Sequence, residues 1–199
     1  THYCPGCGHG LIHKYMAESI EELGIQDRTV AISPVGCSVF MYYYLDVGNT
    51  QAAHGRAPAV ALGHKMANPE AIVLSYQGDG DLASIGMAEI VHCANRGEKV
   101  TVVFVNNAIY GMTGGQVSPL TPQKFVTETT PYGNIEPKFM ASELLIAARA
   151  SFVARETIVR VLPLKNVIKK SFQHKGFSVV EVISNCHVNL GRRNKMKDP

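Results

Sequence analysis

The sequence predicts an α/β fold, with helices on both faces of a doubly wound, mostly parallel sheet. Two runs of consecutive apolar residues, 71–76 and 100–105, have the length and composition of buried central strands. Segments with apolar residues at helical spacing alternate with such runs along the chain. Strands that alternate with helices are typical of crossover connections, which place the strands parallel in one sheet. No internal repeat or linker divides the sequence, so we expect residues 1–199 to form a single domain.

The individual elements follow from local patterns. Helices are predicted at 11–23, 57–67, 83–96, 141–150 and 164–174. Strands are predicted at 29–32, 71–76, 100–105, 151–154 and 177–183. The segment 106–138 is rich in Gly, Thr and Pro and belongs to no predicted element. A loop of that length in a compact domain is usually functional, so we expect it to contribute to a site.

Composition excludes several classes of protein. Apolar residues make up 46% of the chain and charged residues 18%, as in globular domains, and the net charge of +3 is too small to indicate nucleic-acid binding. No apolar run approaches the roughly 18 residues of a membrane-spanning helix, and no signal peptide is visible, so we expect no membrane association. An odd number of cysteines, five, does not suit a disulfide framework. We therefore expect a reducing, cytoplasmic setting.

Polar side chains follow two of the predicted strands. Asp79 comes after the strand 71–76 and lies between two glycines, which let the backbone approach a ligand closely. Asn107 follows the next strand, 28 residues later. Neighbouring parallel strands would bring both side chains to one sheet edge, where their hard oxygens suit Mg²⁺. The helix predicted from residue 83 would point its amino end there and favour an anion.

Gly78-Asp79-Gly80-Asp81 followed by Asn106-Asn107 resembles the thiamine-diphosphate motif of thiamine enzymes. The resemblance implies a thiamine-diphosphate-binding fold in which Mg²⁺ is held by Asp79, Asn107 and the backbone carbonyl of Ile109. It implies further cofactor contacts from Gly78, Gly80, Asp81, Gly111 and Met112. In these enzymes a second domain, usually from a partner chain, supplies the glutamate that activates the cofactor ring. We find no candidate for that domain in this sequence.

Four cysteines lie in segments predicted to be irregular, beside regular elements: Cys4, Cys7, Cys37 and Cys186. The fifth, Cys93, lies inside the predicted helix 83–96 and is expected to be a small core residue. Four thiolates on loops suit either structural Zn²⁺ or a [4Fe–4S] cluster. Their spacing does not choose between the two.

Four motifs in this order resemble the β subunit of 2-oxoacid:ferredoxin oxidoreductases. They are Cys-Pro-Gly-Cys-Gly-His from residue 4, Val-Gly-Cys-Ser from residue 35, His-Gly-Arg-Ala from residue 54, and the thiamine motif continuing through Ile-Tyr-Gly-Met-Thr-Gly-Gly-Gln from residue 109. The resemblance implies that Cys4, Cys7, Cys37 and Cys186 bind one [4Fe–4S] cluster through loops 1–10, 34–38 and 184–190. It also implies that Val35, Gly36, Cys37 and Ser38 line the thiamine cofactor. Cys186 departs from the family pattern, which more often has proline around this cysteine.

The turn His54-Gly55-Arg56 carries two cationic groups before a helix of small residues. An isolated histidine is most often a hydrogen-bonded structural residue. By resemblance this segment faces the reactive ring, so His54 and Arg56 are the predicted catalytic residues, meeting a substrate carboxylate or a developing enolate.

The resemblance implies a subunit that oxidatively decarboxylates a 2-oxoacid with coenzyme A and passes electrons to ferredoxin. Its partners would be an α subunit, with γ or δ subunits as further candidates. The tyrosines at 42–44 and the form of the motif at 109–115 favour 2-oxoglutarate or branched-chain acids. Two alternatives stay open. One is a non-redox thiamine decarboxylase or synthase subunit with a structural zinc; the other is a non-catalytic metal-binding interaction module.

Overall fold

Six parallel strands form the central sheet in the computed structural model, which describes residues 2–196. In chain order the strands are β1 (Thr29–Pro34), β2 (Gly48–Ala52), β3 (Ile72–Gly78), β4 (Val100–Asn106), β5 (Ile109–Tyr110), β6 (Gln116–Val117), β7 (Phe152–Thr157) and β8 (Ser178–Ile183). The sheet order is β2–β1–β3–β4–β8–β7, and β5 and β6 form a separate antiparallel pair. The predicted parallel α/β fold is confirmed.

Helices cover both faces of the sheet. They are α1 (Gly8–Leu23), α2 (Ala57–Ala67), α3 (Met87–Arg96), α4 (Ala141–Ala147) and α5 (Val161–Gln173). Helices α2, α3 and α4 share one core with sheet residues such as Val73, whereas α1 and α5 share the other with residues such as the adjacent Leu74. Successive strand residues thus supply opposite cores, as alternation along a strand requires. Cys93 belongs to the first core, as expected.

Two local features differ from the expected elements. The predicted helix 83–96 is interrupted: a π-helical turn at Asp81–Ile85 precedes Gly86, and α3 begins at Met87. A Cβ on Gly86 would lie 2.7 Å from the carbonyl oxygen of Gly55, so only glycine lets these two turns approach. Strand β2 was not predicted, because it is a polar, largely exposed edge strand.

The registry of β3 and β4 places the motif residues together. These strands pair in parallel with Gly78 opposite Val105, so Asp79 and Asn107 leave the same edge of the sheet. Loops after β1 and β8 reach this edge as well, since β1 and β8 flank β3 and β4. Among the helices of residues 2–196, none has the length and apolar character needed to cross a membrane.

Candidate functional site

A cavity opens at the carboxyl ends of β1, β3 and β4. It is lined by all twelve residues predicted to contact the thiamine cofactor or its Mg²⁺, namely Val35, Gly36, Cys37, Ser38, Gly78, Asp79, Gly80, Asp81, Asn107, Ile109, Gly111 and Met112. His54 also lines it, together with His9, Tyr110 and Thr113. In doubly wound sheets this edge is where ligands bind.

Three potential oxygen ligands converge on one side of this cavity. The carboxamide atom of Asn107 that faces Asp79 lies 3.2 Å from Asp79 Oδ1 and 2.9 Å from the carbonyl oxygen of Ile109. With nitrogen in that position, the carboxamide donates to both oxygens; with oxygen there, the three oxygens form a ligand set for a hard cation. Ala108, which lies between Asn107 and Ile109, has a left-handed backbone conformation with φ 61°.

Asp79 is buried, with 2% of its surface exposed. Burial raises the pKa of its carboxyl to about 7, although the Ser118 hydroxyl and backbone N–H groups act in the opposite direction. Ser118 Oγ donates to Asp79 Oδ2 over 2.6 Å. A buried carboxylate of this kind is stabilised by a nearby cation, which the cavity has room to receive.

Asp81 directs its carboxylate to the turn at His54. Oδ1 lies 2.7 Å from His54 Nδ1 and accepts the backbone N–H of Gly55 over 2.6 Å. Oδ2 accepts Gln77 Nε2 over 2.5 Å, and Gln77 Oε1 accepts Ser75 Oγ over 3.1 Å. The adjacent Asp81 carboxylate raises the pKa of His54. A polar chain therefore runs from the sheet interior to His54 at the cavity wall.

Arg56 does not line this cavity. Its side chain is 48% exposed, and its guanidinium forms an ion pair with Glu89 of α3 and donates to the carbonyl oxygen of Ile85 over 3.3 Å. The structure therefore brings His54 to the site and places Arg56 behind it, against the start of α3.

The four predicted cluster cysteines line a second cavity of about 270 Å³. A Cβ on Gly111 would lie 3.3 Å from Cys37 Sγ and 3.7 Å from Cys186 Sγ. Burial and the neighbouring Cys186, Cys7 and Cys4 raise the pKa of the Cys37 thiol to about 12. No three His, Cys, Asp or Glu side chains within residues 2–196 converge closely enough to hold a single metal ion.

The second cavity, which we call the cysteine cavity, shares a wall with the first, which we call the cofactor cavity. Both are lined by His9, Cys37, Asn107, Gly111 and Met112. His9 is 2% exposed, and its Nδ1 lies 2.6 Å from the hydroxyl of the buried Tyr76. Burial and the neighbouring His13 lower the pKa of His9 to about 3, so its ring is neutral in this wall.

Sequence reasoning missed three contributors to the site. Ser118 contacts Asp79 and Gln77 contacts Asp81, and no sequence motif indicates contacts of this kind. The long segment 106–138 was expected to contribute to a site, and Ser118 lies in it. The sequence carried a signal for His9 in its Cys-Pro-Gly-Cys-Gly-His motif, but not for its position in the shared wall.

Comparisons with known proteins identify the family of this chain. Residues 34–182 match the family model for the thiamine pyrophosphate enzyme, C-terminal TPP binding domain. The chain is 50% identical to ketoisovalerate oxidoreductase subunit VorA of Methanothermobacter thermautotrophicus, over 96% of this chain and 42% of that protein. It is 41% identical to 2-oxoglutarate synthase subunit KorB of Methanothermobacter marburgensis, over 99% of this chain and 70% of that protein.

A solved structure shows the same fold. It is the 2-oxoglutarate:ferredoxin oxidoreductase from Magnetococcus marinus with 2-oxoglutarate, coenzyme A and succinyl-CoA bound. The TM-score is 0.91 at 37% identity, covering 94% of this chain and 64% of that one. The chain thus spans less than half the length of the VorA relative and about two thirds of that structure. The family model, the relatives and the shared fold show that this chain belongs to the thiamine-diphosphate-binding subunit family of the 2-oxoacid:ferredoxin oxidoreductases.

Proposed function

We propose that this chain binds thiamine diphosphate with Mg²⁺ and carries one [4Fe–4S] cluster. Together with partner subunits it would oxidatively decarboxylate a 2-oxoacid to an acyl-coenzyme A while ferredoxin receives the electrons. The observation that carries this proposal is the wall shared by the two cavities. A cofactor in one cavity and a cluster in the other would be separated only by a few side chains and backbone atoms. That proximity suits an enzyme that must move electrons away from its reaction centre.

The proposed Mg²⁺ site depends on three oxygens. Asp79 Oδ1, the amide oxygen of Asn107 and the carbonyl of Ile109 would hold Mg²⁺, which completes its shell with phosphate oxygens and water. The backbone at Gly80, Gly111 and Met112 would contact the diphosphate. When bound, thiamine diphosphate supplies the nucleophilic carbon and stores the electrons released by decarboxylation.

The arrangement of the four cysteines supports a cluster over zinc. A tetrahedral zinc ion needs four sulfurs at about 2.3 Å from one point. The cysteines here stand around a cavity of about 270 Å³ instead, with Gly111 leaving room between Cys37 and Cys186. An iron–sulfur cube, which presents four separated irons to four thiolates, suits that arrangement better. Because such thiolates persist in a reducing compartment, we place the activity in the cytoplasm.

His54 is the side chain best placed to act on substrate. Asp81 lies beside its Nδ1, and a hydrogen bond with the Val35 backbone also favours the protonated ring. With the pKa of His54 raised by Asp81, the imidazole can donate to a substrate carboxylate or to a developing oxyanion. Arg56 would act indirectly by anchoring this turn to Glu89.

We propose an apolar 2-oxoacid of the branched-chain type as substrate. Among the described residues, neither Lys nor Arg lines the cofactor cavity, and Arg56 is already paired with Glu89. A second substrate carboxylate, as in 2-oxoglutarate, would therefore find no lysine or arginine among the described residues that line this cavity. The higher identity to the ketoisovalerate relative, 50% against 41%, points the same way. The complex should show a higher kcat/KM for 2-oxoisovalerate than for 2-oxoglutarate; the reverse order would overturn this assignment.

The decisive experiment is anaerobic purification of the full-length subunit with its partners. Equimolar iron and sulfide, a brown colour and 2-oxoacid-dependent reduction of ferredoxin are expected. Cys37→Ala should remove the cluster, whereas Cys93→Ala, which changes a core cysteine, should keep it. A colourless complex containing zinc would instead support the non-redox thiamine enzyme.

Thiamine-diphosphate binding is tested separately. Calorimetry should show binding that requires Mg²⁺ and that Asp79→Ala abolishes, because the variant lacks the buried carboxylate ligand. Unchanged binding in that variant would refute the role of Asp79 as a ligand, whereas wild-type protein that binds no thiamine diphosphate in Mg²⁺ would leave the metal-binding interaction module.

A further inference from the structure

A four-residue turn, Ser118–Thr121, contacts both parts of the proposed metal site. We call these parts the two metal arms: Asp79, which follows β3, and the segment 107–109, which follows β4. Its backbone closes with the Thr121 N–H donating to the Ser118 carbonyl over 3.0 Å, and Pro119 occupies the position where proline favours such a turn. The Ser118 N–H donates to Thr121 Oγ1 over 2.9 Å, which ties the two hydroxyl-bearing residues together. Leu120, 1% exposed, anchors the turn in the core.

Each hydroxyl of the turn binds a different arm. Ser118, 4% exposed, donates to Asp79 Oδ2 over 2.6 Å. Thr121, fully buried, donates to the carbonyl oxygen of Ala108 over 2.6 Å. Ala108 is the left-handed residue between Asn107 and Ile109, so fixing its carbonyl fixes the direction of both neighbours. The turn therefore bridges strands β3 and β4 at the point where their ligands converge.

The Ser118 bond has a consequence for which oxygen of Asp79 is available. Oδ2 accepts the hydroxyl of Ser118, while Oδ1 faces the carboxamide of Asn107, which in turn lies 2.9 Å from the Ile109 carbonyl. The hydroxyl competes with a cation for Oδ2, which favours coordination of the cation by Oδ1 alone over coordination by both oxygens. Mg²⁺ demands a small, near-ideal octahedron, whereas Ca²⁺ accepts a larger shell in which a carboxylate can bind through both oxygens.

We propose that Ser118 and Thr121 are positioning residues that hold the two metal arms in register, and that Ser118 biases the site toward Mg²⁺ over Ca²⁺ by favouring coordination through Oδ1 of Asp79 alone. This inference rests on the proposed function, since it concerns the cation that accompanies thiamine diphosphate. It assigns a task to a segment that carries no recognisable ligand of its own.

The test uses the full-length subunit co-purified with its partners and dialysed free of cofactor and divalent cations. Thiamine-diphosphate binding is titrated with Mg²⁺ and, separately, with Ca²⁺. Ser118→Ala should raise the Mg²⁺ concentration for half-maximal binding about tenfold, the loss expected for one hydrogen bond to a charged group, and raise the Ca²⁺ requirement less. Ser118→Thr, which keeps the hydroxyl, should restore the wild-type ratio of the two requirements.

Two further variants separate positioning from general stability. Thr121→Val should raise both requirements together, since it does not touch Asp79 Oδ2. Thr127→Val removes another buried hydroxyl of the same segment, bonded to Thr130 over 2.7 Å, and should change neither. If Ser118→Ala does not fold, Ser118→Cys, a weaker donor of similar shape, should shift the ratio in the same direction.

The outcomes are distinguishable. Ser118→Ala or Ser118→Cys with an unchanged Mg²⁺-to-Ca²⁺ ratio would refute the selectivity role of Ser118, and Thr121→Val with wild-type requirements would refute the second arm. Wild-type complex that binds no thiamine diphosphate with either cation would instead refute the proposed function itself.

Discussion

His54 and Arg56 are separated by one residue but point to different places. Gly55, with φ 78°, reverses the chain between them. A Cβ at this position would lie 2.4 Å from Ile85 Cγ2 and 2.8 Å from the nitrogen of Gly86, so the turn packs tightly on the start of α3. His54 is consequently held against Asp81 and Arg56 against Glu89. Only the first of these contacts faces the cofactor cavity.

Substitutions in this turn should therefore have unequal effects. His54→Gln should lower kcat about 100-fold, the usual contribution of a positioned proton donor or acceptor, while thiamine-diphosphate binding stays close to wild type. Arg56→Gln should lower kcat less than about tenfold, because exposed ion pairs contribute little. Steady-state kinetics with calorimetric cofactor titration measures both. Equal losses in the two variants would contradict the assignment of His54.

Gly78 and Gly80 form a matched pair for testing packing at the motif. A Cβ on Gly80 would lie 2.1 Å from Tyr110 Cε1, whereas one on Gly78 would meet nothing within 4 Å. Gly80→Ala should lower the free energy of unfolding by about 2 kcal/mol through overpacking, measured in urea without cofactor. Gly78→Ala should change it by less than about 0.5 kcal/mol.

A second substitution checks the cause of that loss. Adding Tyr110→Leu to Gly80→Ala should recover part of the stability, because the aromatic ring is the group that the new methyl displaces. Purely additive losses in the double variant would show that Tyr110 is not the source of the strain.

At the scale of elements, a buried polar network joins β4, β8, β7 and α4. Glu181, 1% exposed, accepts Asn106 Nδ2 and Arg155 Nε, each over 2.7 Å, and also accepts the Ser142 hydroxyl. Arg155 also pairs with Glu143 of α4 over 2.9 Å. Because Asn106 directly precedes the proposed metal ligand Asn107, this network holds the end of β4 beside that ligand.

Removing the cation from this network should destabilise the protein. Arg155→Met leaves the buried Glu181 carboxylate with only neutral hydrogen-bond donors. We expect the free energy of unfolding to fall by about 2 kcal/mol, which is less than for a fully buried pair because Arg155 is partly exposed. The double variant Arg155→Met with Glu181→Gln should be more stable than the single one, since no uncompensated charge remains. Urea midpoints provide the comparison, and a double variant weaker than the single would contradict this account.

The elements were predictable to the extent that their patterns are local. The central strands read as apolar runs because both faces are buried, as at Val102 and Val103. Strand β2 was not predicted because its residues do not alternate between apolar and polar. The helix predicted over 83–96 contained Gly86, but nothing local revealed that Gly55 approaches it closely enough to break the helix.

At the scale of the whole molecule, the positions of the proposed metal ligands were predictable from the sequence, and the side chains that support them were not. Asp79 and Asn107 follow consecutive strands, so strand order alone brings them together. Ser118 reaches Asp79 across 39 residues of sequence, and His54 reaches Asp81 across a helix and a strand, so both contacts depend on the folded loops. The sequence placed His54 and Arg56 in one role, whereas tertiary packing separates them.

Acid stability is a property of the whole chain to which His13 contributes. This residue is 3% exposed, and its Nδ1 has no hydrogen-bond partner among the described residues. Burial lowers the pKa of His13 from 6.5 to about 4. Between these values the unfolded chain binds a proton that the folded chain does not, so the free energy of unfolding falls as pH falls from about 6.5 to about 4.

The slope of that fall tests the burial of His13. Its contribution should approach about 1.4 kcal/mol per pH unit below the unfolded pKa and vanish above pH about 7.5. His13→Gln removes the titrating group, so its stability should decline less steeply with acid than that of the wild type. The exposed His92→Gln should keep the wild-type slope, and comparison at equal pH cancels effects of acid common to all three proteins. If His13→Gln shows the same slope as the wild type in urea titrations at pH 7.5, 6 and 5, His13 is not neutral and buried in solution.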